Sequence, residues 1–297
     1  GYRKETATGL VAVVGTLAAM IPPSIILVFY AITAEAQVGK MLIAGFFPGI
    51  LVAIGIVITM YLGFLRDRTA APRGQRSSWR EKTGYLLQAS PLLIIFIVVI
   101  GTIFTGVASP TESAAIGVIG SLILVIARRR WNTREFAESV LDTVKTSAMI
   151  FAIMMAAQVL GVFLTETQVT TKMVNAIGDS SLNNIVIMLL IGLVYVVLGF
   201  FMDQIAIIAL TVPITLPIVE TLGYDPIWFG VFVVLLAETG MVTPPMGLNV
   251  FVVSKAVRVN PLTVFKGAAP YVVMTLVLAV LFLLWPDIVM WVPDLQE

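Results

Sequence analysis

The sequence predicts an all-α, polytopic membrane protein built from inverted repeats, with two broken helices and one re-entrant hairpin. The first observation is composition: 59% of the residues are hydrophobic and 12% are charged, whereas soluble domains average about 45–50% and about 25%. The second is that the apolar residues form blocks of about 20, the length that crosses a bilayer core about 30 Å thick. The third is a pair of prolines that interrupts two of these blocks at matching places.

The absence of cysteine and histidine from the sequence excludes several classes of function. The 297 residues include no cysteine and no histidine, which excludes disulfides, thiolate metal sites and H-E-x-x-H chemistry. An intramembrane enzyme would then depend on Ser–Lys pairs or clustered carboxylates, and acidic residues within the apolar blocks are sparse. We therefore expect no enzyme. Membrane lipids are the expected surroundings, and we expect no nucleic-acid partner. The formal net charge of +1 says little about partners.

Residues 1–65 are predicted to hold the second part of repeat 1, a broken helix and the span after it. The first span, at about 9–32, is interrupted by Ile21-Pro22-Pro23-Ser24, and the second lies at about 41–65. The loop at 66–90 is rich in Arg and Lys. An excess of these residues marks cytoplasmic loops, so this loop is predicted to be cytoplasmic.

Residues 91–145 are predicted to hold a helical pair and an arm helix. The paired spans lie at about 91–107 and 114–127, and Arg128-Arg129-Arg130 follows them. From 132 to 145, charged residues alternate with apolar ones at helical spacing. Such an amphipathic segment is typical of a helix that lies in the membrane interface.

Residues 146–297 are predicted to form repeat 2. It comprises a span at about 146–164, a re-entrant hairpin at 185–220, a broken helix at 227–254 and a last span at 271–285. Asp203 separates the two hairpin limbs, and neither limb has a basic residue at that end. This favours a hairpin with Asp203 at its tip, although two full spans would return the chain to the same side.

Two stretches of the chain show the same order of features. Each begins with Gly-Tyr, at Gly1 and at Gly223, and each continues into a span broken at a Pro-Pro pair. The basic residues place the start of the first copy inside and the start of the second copy outside. A single proline usually only kinks a membrane helix, but inverted repeats with a broken helix in each are typical of secondary transporters.

The paired prolines leave open backbone at both breaks. Proline has no N–H group, and its ring obstructs the preceding turn. Carbonyl groups without partners are costly in hydrocarbon, so a polar group or an ion is expected to satisfy them. The C-terminus of a half-helix carries partial negative charge and attracts cations. These properties favour a site for a cation or a polar substrate at each break.

Four motifs stand in order along the chain: GTLAAMIPPS at 15–24, GVASPTESAA at 106–115, FMD at 201–203 and ETGMVTPPMGLN at 238–249. Together they resemble the C-terminal two-thirds of the DctM-type large membrane subunit of tripartite ATP-independent periplasmic (TRAP) transporters. The resemblance implies sodium-driven uptake of a small carboxylate across the bacterial inner membrane by an elevator mechanism. It also implies two protein partners, a DctP-type periplasmic substrate-binding protein and a small DctQ-type membrane subunit.

The resemblance and the open backbone together assign candidate site residues. One sodium ion is expected at the first break, bound by Ala18, Ile21, Pro23 and Ser24. A second is expected at the second break, bound by Gly240, Thr243 and Pro245, and the substrate is expected to contact Asp203, Asn249 and Ser24. The family implies another hairpin before Gly1, so the first site is expected to be incomplete.

Some alternatives stay open on the sequence alone. Asp203 either contacts a ligand or caps the second hairpin limb by accepting hydrogen bonds from backbone amides. For Glu238 we favour a structural role. The alternative function is a sodium- or proton-coupled transporter of anions or carboxylates with a similar inverted-repeat fold that works without a binding protein.

Overall fold

Helices make up all of the regular structure in the described chain. The computed structural model describes residues 2–67, 78–178 and 182–295, and within these ranges it contains thirteen helices and no strand. In chain order they are α1 Lys4–Met20, α2 Ile25–Thr33, α3 Val38–Arg66, α4 Trp79–Phe104, α5 Pro110–Ala127, α6 Thr133–Glu166, α7 Val169–Gly178, α8 Asn184–Gly199, α9 Gln204–Thr221, α10 Pro226–Met241, α11 Leu248–Val257, α12 Pro261–Leu284 and α13 Asp287–Asp294.

Within the described ranges, six helices are long and apolar enough to cross a membrane: α3, α4, α5, α6, α9 and α12. The pair α1 and α2 passes the same test as one broken span, bent by 46°. The shorter helices α8, α10 and α11 are also apolar. The chain is therefore a multi-pass, all-α membrane protein with broken helices, and the predicted fold class is confirmed.

Several element boundaries differ from the predicted ones. The arm helix at 132–145 and the span at 146–164 are one helix, α6, because no glycine or proline occurs between 133 and 160. In the predicted basic loop, residues 68–77 lie outside the described residues, and 79–90 already belong to α4. The sequence also gave no sign of α13, whose Trp291 ring packs 5.0 Å from that of Phe47 in α3.

The chain divides into two compact units, of which residues 73–151 form the smaller. This unit contains α4, α5 and the first part of α6. A capping box begins α5: the Ser109 hydroxyl accepts from the Glu112 N–H, and the Glu112 carboxylate accepts from the Ser109 N–H. The hydroxyls of Thr102 and Ser113 lie 2.9 Å apart and join α4 to α5. These contacts set the tight turn between the two helices.

The larger unit, residues 1–72 and 152–297, has α1 packed closely along α12. Gly9 and Gly267 meet where the two helices are closest, and a Cβ on either residue would overlap the backbone of the other helix. Further along, Thr16 and Thr275 line the same small cavity. Because both contact pairs advance in the same chain direction, α1 and α12 run parallel.

Helix α10 runs antiparallel to α12. Near its start, the indole N–H of Trp228 donates to the carbonyl of Phe282 at 3.0 Å, and near its end the Thr239 hydroxyl lies 3.1 Å from that of Thr275. Since α1 is parallel to α12, α1 and α10 are antiparallel. These are the first halves of the two broken helices, so the two copies are inverted in the structure.

The limbs of the predicted hairpin, α8 and α9, are held together along their length. Tyr195 in α8 lies within hydrogen-bonding distance of Thr211 and Thr215 in α9, at 2.8 Å from each hydroxyl. At the open end, the Asn184 side chain donates to the Leu222 carbonyl at 3.2 Å. A helix of 16 residues such as α8 is about 24 Å long at 1.5 Å per residue, shorter than a hydrocarbon core of about 30 Å.

Candidate functional site at the two helix breaks

The first break comprises the four residues between α1 and α2, and a serine bridges it. The Ser24 hydroxyl donates to the Ala19 carbonyl at 2.5 Å and accepts from the Leu27 N–H at 3.2 Å. In a continuous helix the Ala19 carbonyl would accept from residue 23, which is a proline without an N–H. Ser24 thus replaces a lost helical hydrogen bond and also caps α2.

Three other carbonyls of the first break remain open. Among the described residues, no hydrogen bond reaches the carbonyls of Ala18, Ile21 or Pro23. For Ala18 the reason is direct, because its helical partner would be the N–H of residue 22, again a proline. Ser24 is buried, Ile21 is half-buried, and Ala18 and Pro23 are exposed. Of the four predicted ligands of this break, three therefore have a carbonyl without a donor among the described residues.

The second break is longer, with six residues between α10 and α11. Its Thr243 donates its hydroxyl proton to the Thr239 carbonyl at 2.6 Å, and its N–H donates to the Gly240 carbonyl at 2.9 Å. The carbonyls of Met241 and Pro245 accept no hydrogen bond from any described residue. Since the hydroxyl proton of Thr243 is already bound, its oxygen offers lone pairs to a cation.

Gly240 has a packing role that the sequence did not reveal. A Cβ built on Gly240 would lie 2.7 Å from the Cα of Gly199, and one built on Gly199 would lie 2.6 Å from the Ala237 carbonyl oxygen. These distances are too short for a real Cβ, so only glycine allows the helices to meet here. The contact joins the end of α8, at the hairpin tip, to α10 just before its break.

Asp203 at the hairpin tip acts as a helix cap. Its Oδ1 accepts from the N–H groups of Ile205 at 2.9 Å and Ala206 at 3.1 Å, and the residue itself is exposed. The structure therefore shows the capping arrangement that the sequence left open. Both bonds use Oδ1, so Oδ2 remains able to accept another hydrogen bond.

Asn249 lies at the start of α11, in the second break. It is half-buried, and its side chain makes no hydrogen bond with any described residue. The preceding Gly247 adopts a left-handed conformation, with φ of 39°, and provides no side-chain cap for α11. The first N–H groups of this helix thus lack the side-chain cap that Ser24 gives α2. A helix N-terminus of this kind favours negative charge.

The hairpin tip contributes a buried polar pair that was not among the predicted site residues. Glu238 in α10 and Gln204 at the start of α9 are only 3% and 7% exposed, and their side chains interact. A cavity of about 10 Å³ lies beside Glu238 and is lined in part by Thr16, Thr239 and Thr275. The signal available in the sequence was an acidic residue that follows a long apolar block and begins the ETGMVTPPMGLN motif.

In the described ranges, no hydrogen bond or ion pair connects the candidate residues of the first break with those of the second. A larger cavity, of about 590 Å³, lies between α2, α6 and α9 and includes Glu35 and Glu166 on its wall, but none of the candidate residues lines it. Its acidic lining suits a cation better than a carboxylate.

The comparisons with known proteins agree with this architecture. A sequence profile of the DctM component of tripartite ATP-independent periplasmic transporters matches residues 1–288. A C4-dicarboxylate TRAP transporter large permease protein of Pseudomonas aeruginosa is 31% identical over 99% of this chain and 69% of its own length. A sialic acid TRAP transporter large permease protein of Vibrio cholerae is 30% identical over the same shares of both chains.

A third relative, an ectoine/5-hydroxyectoine TRAP transporter large permease protein of Ruegeria pomeroyi, is 27% identical over 99% of this chain and 69% of its own length. All three relatives are transport permeases and not enzymes. The family match covers nearly the whole chain, and the inverted broken helices provide the matching structure. The chain therefore belongs to the DctM component, the large permease subunit, of the tripartite ATP-independent periplasmic transporters.

Proposed function

We propose that this chain carries out sodium-coupled uptake of a small carboxylate across the bacterial inner membrane. As a TRAP large permease it works with a substrate-binding protein and a small membrane subunit. We assign these partners to the DctP and DctQ types, and we assign an elevator mechanism to the permease. Relatives named for C4-dicarboxylates and for sialic acid support a carboxylate as the solute.

The observation that carries this proposal is the set of open oxygens at two inverted breaks. At the first break the proposed sodium ligands are Ala18, Ile21, Pro23 and Ser24, of which the first three have carbonyls without donors. Hard cations prefer such carbonyl and hydroxyl oxygens.

At the second break the proposed sodium ligands are Gly240, Thr243 and Pro245. The Thr243 oxygen has free lone pairs, and the Pro245 carbonyl has no donor among the described residues. The Gly240 carbonyl already accepts from the Thr243 N–H, and a carbonyl has a second lone pair for an ion.

The proposed substrate contacts lie around the second break and the hairpin tip. Asn249 stands at the uncapped start of α11, where an amide donor and helix N–H groups suit a carboxylate. The free Oδ2 of Asp203 accepts from a hydroxyl or amine of the substrate. Ser24 is the third proposed contact, and its hydroxyl is shared with the first break.

The energetics favour uptake of an anion with more than one cation. Each elementary charge that moves inward across an inside-negative potential supplies about 2.3 kcal/mol per 100 mV. Two sodium ions with a monocarboxylate carry a net charge of +1, so both the sodium gradient and the potential drive the solute inward.

The test is uptake in proteoliposomes that contain the large subunit with its small subunit. A panel of labelled carboxylates is offered with and without the purified binding protein, and with sodium or potassium outside. We expect uptake only with both sodium and the binding protein. Sodium-dependent uptake without the soluble partner would instead support the alternative transporter that works alone, and uptake independent of sodium would contradict the coupling.

A further inference from the structure

Glu238 is a buried carboxylate that neither proposed sodium site uses. It lies in α10, in which every residue from Ile227 to Gly240 is buried. Its Oε1 has no hydrogen-bond partner among the described residues. Ionised groups in the interior of a membrane protein are costly unless paired, and they usually mark a functional position.

The surroundings of Glu238 offer no compensating positive charge. Its side chain interacts with Gln204, which is neutral. No ion pair within the described ranges includes it, and Tyr271 is the other titratable residue on the cavity wall. An ionised Glu238 therefore needs a cation at Oε1.

The cavity beside Glu238 has the size for one small guest. Its volume is about 10 Å³ for the centres of water-sized spheres, which is near the limit for a single water molecule. Its wall combines α1, α3, α10 and α12, all from the larger unit. The residues that line it are Val13, Thr16, Val52, Leu235, Glu238, Thr239, Val242, Tyr271 and Thr275.

Three threonines are among the residues that line this cavity, and the hydroxyl of each is hydrogen-bonded. Each hydroxyl lies within hydrogen-bonding distance of a carbonyl of its own helix: Thr16 of Val13 at 2.7 Å, Thr239 of Leu235 at 2.7 Å and Thr275 of Val272 at 3.0 Å. The hydroxyls of Thr239 and Thr275 also lie 3.1 Å apart and bond to each other. With its proton bound, a threonine hydroxyl acts as an acceptor. Together with Glu238 Oε1, the wall holds four oxygens able to accept, and Glu238 adds a negative charge when it is ionised.

We propose that this cavity binds one sodium ion, held by Glu238 and by the hydroxyls of Thr16, Thr239 and Thr275. The cavity admits only a small guest, a cation would pair with an ionised Glu238, and sodium is a small cation that binds oxygen ligands. None of these four residues belongs to the proposed sodium ligands of the two breaks. Only the role of this ion in driving transport rests on the proposed function.

The bound ion would be linked to the second break and to the hairpin tip. Thr239 contributes a hydroxyl to the cavity, and its carbonyl accepts the hydroxyl proton of Thr243 in the break. On the other side, Glu238 interacts with Gln204, the first residue of α9. Occupancy would therefore stabilise the contact between the hairpin tip and α10.

The test is equilibrium binding of radioactive sodium to the purified large and small subunits, with potassium and choline keeping the ionic strength constant. We expect Glu238→Gln and Thr275→Val each to lose one bound sodium per transporter, whereas Thr275→Ser, which keeps the oxygen, retains it. Thermal unfolding without sodium shows whether each variant folds, and Thr275→Val carries the test if Glu238→Gln does not fold.

Two results would overturn the site. One is an unchanged number of bound sodium ions in Glu238→Gln. The other is a melting temperature that rises at low pH in the wild type but not in Glu238→Gln, together with equal sodium binding by both proteins. Glu238 would then bind a proton and not sodium. The binding assay does not depend on uptake. If sodium binding depends on Glu238 but uptake does not depend on sodium, the proposed function is wrong and the sodium site remains supported.

Discussion

The two helix breaks have the same proline pair but different solutions to the open backbone. At the first break, Ser24 joins the two half-helices, because its hydroxyl bonds the end of α1 and caps the start of α2. At the second break, Thr243 bonds only back to α10, and α11 begins at Gly247 without a side-chain cap. At the first break one side chain thus links the two half-helices, whereas at the second break no side chain caps α11.

The two repeats thus share the proline break, but the residues around each break differ, and we expect the two breaks to have different roles. The second break faces the hairpin tip through the contact of Gly199 with Gly240, and it neighbours the Glu238 cavity through Thr239. The first break has its open carbonyls, and the half-helix that follows it, α2, packs against the hairpin limb α9. We therefore expect substitutions at the second break to affect ligands, and those at the first to affect stability more.

The largest effect is expected where the second break meets the hairpin. Gly240→Ala places a Cβ 2.7 Å from the Gly199 Cα, and overpacking of this kind costs about 1–3 kcal/mol. We expect a lower melting temperature in detergent and loss of uptake in proteoliposomes.

Gly15→Ala is the matched control for this substitution. Gly15 is also helical, but a Cβ there meets no atom within 4 Å, so alanine should stabilise the helix by about 0.5–1 kcal/mol. If Gly240→Ala melts and transports like the wild type, the close packing at the hairpin tip is not needed.

The next largest effect is expected for sodium at the second break. Thr243→Ala removes an oxygen with free lone pairs, and a lost contact to a charged group costs about 1.5–3 kcal/mol. We expect the sodium concentration for half-maximal uptake to rise about tenfold or more, with little change in melting temperature without sodium. Thr243→Ser keeps the oxygen and should behave like the wild type, and an unchanged sodium titration in Thr243→Ala would remove Thr243 from the site.

At the first break we expect a smaller effect, mainly on stability. Ser24→Ala removes both the cap of α2 and the bond to the Ala19 carbonyl, and loss of a helix cap typically costs about 1 kcal/mol. The measurement is thermal unfolding of the purified protein without sodium, with Ser24→Thr as the variant that retains a hydroxyl. A Ser24→Ala protein of normal stability but weakened sodium dependence would reverse the division between the two breaks.

Local chemistry made both breaks predictable. Proline lacks an N–H wherever it occurs, so the open carbonyls of Ala18 and Met241 follow from the sequence alone. Likewise, an Asp before a helical segment is a good cap in any fold, and Asp203 is one. The continuous helix α6 was missed because the predicted boundary followed the change from charged to apolar residues, which does not interrupt a helix.

Contacts between segments that are far apart in the chain could not be predicted from the sequence. The packing of Gly240 on Gly199 depends on how α8 meets α10, and no spacing within either helix reveals it. The cavity at Glu238 joins side chains of four helices, from Val13 in α1 to Thr275 in α12. The hydroxyl of Ser24 could be assigned to the break, but its two partners depend on the angle of 46° between the half-helices.

The smallest expected effect separates the two roles of Asp203 at the hairpin tip. Asparagine caps helices about as well as aspartate, so Asp203→Asn should keep the melting temperature of the wild type, whereas Asp203→Ala should lose about 1 kcal/mol. If Oδ2 also accepts from the substrate, Asp203→Asn should raise the KM for uptake about threefold, because water competes for this exposed oxygen and keeps the net contribution of the bond near the low end of about 0.5–1.5 kcal/mol. An unchanged KM in Asp203→Asn would leave Asp203 with the capping role alone, and the ligand contacts of the second break would then depend on Asn249 and the open start of α11.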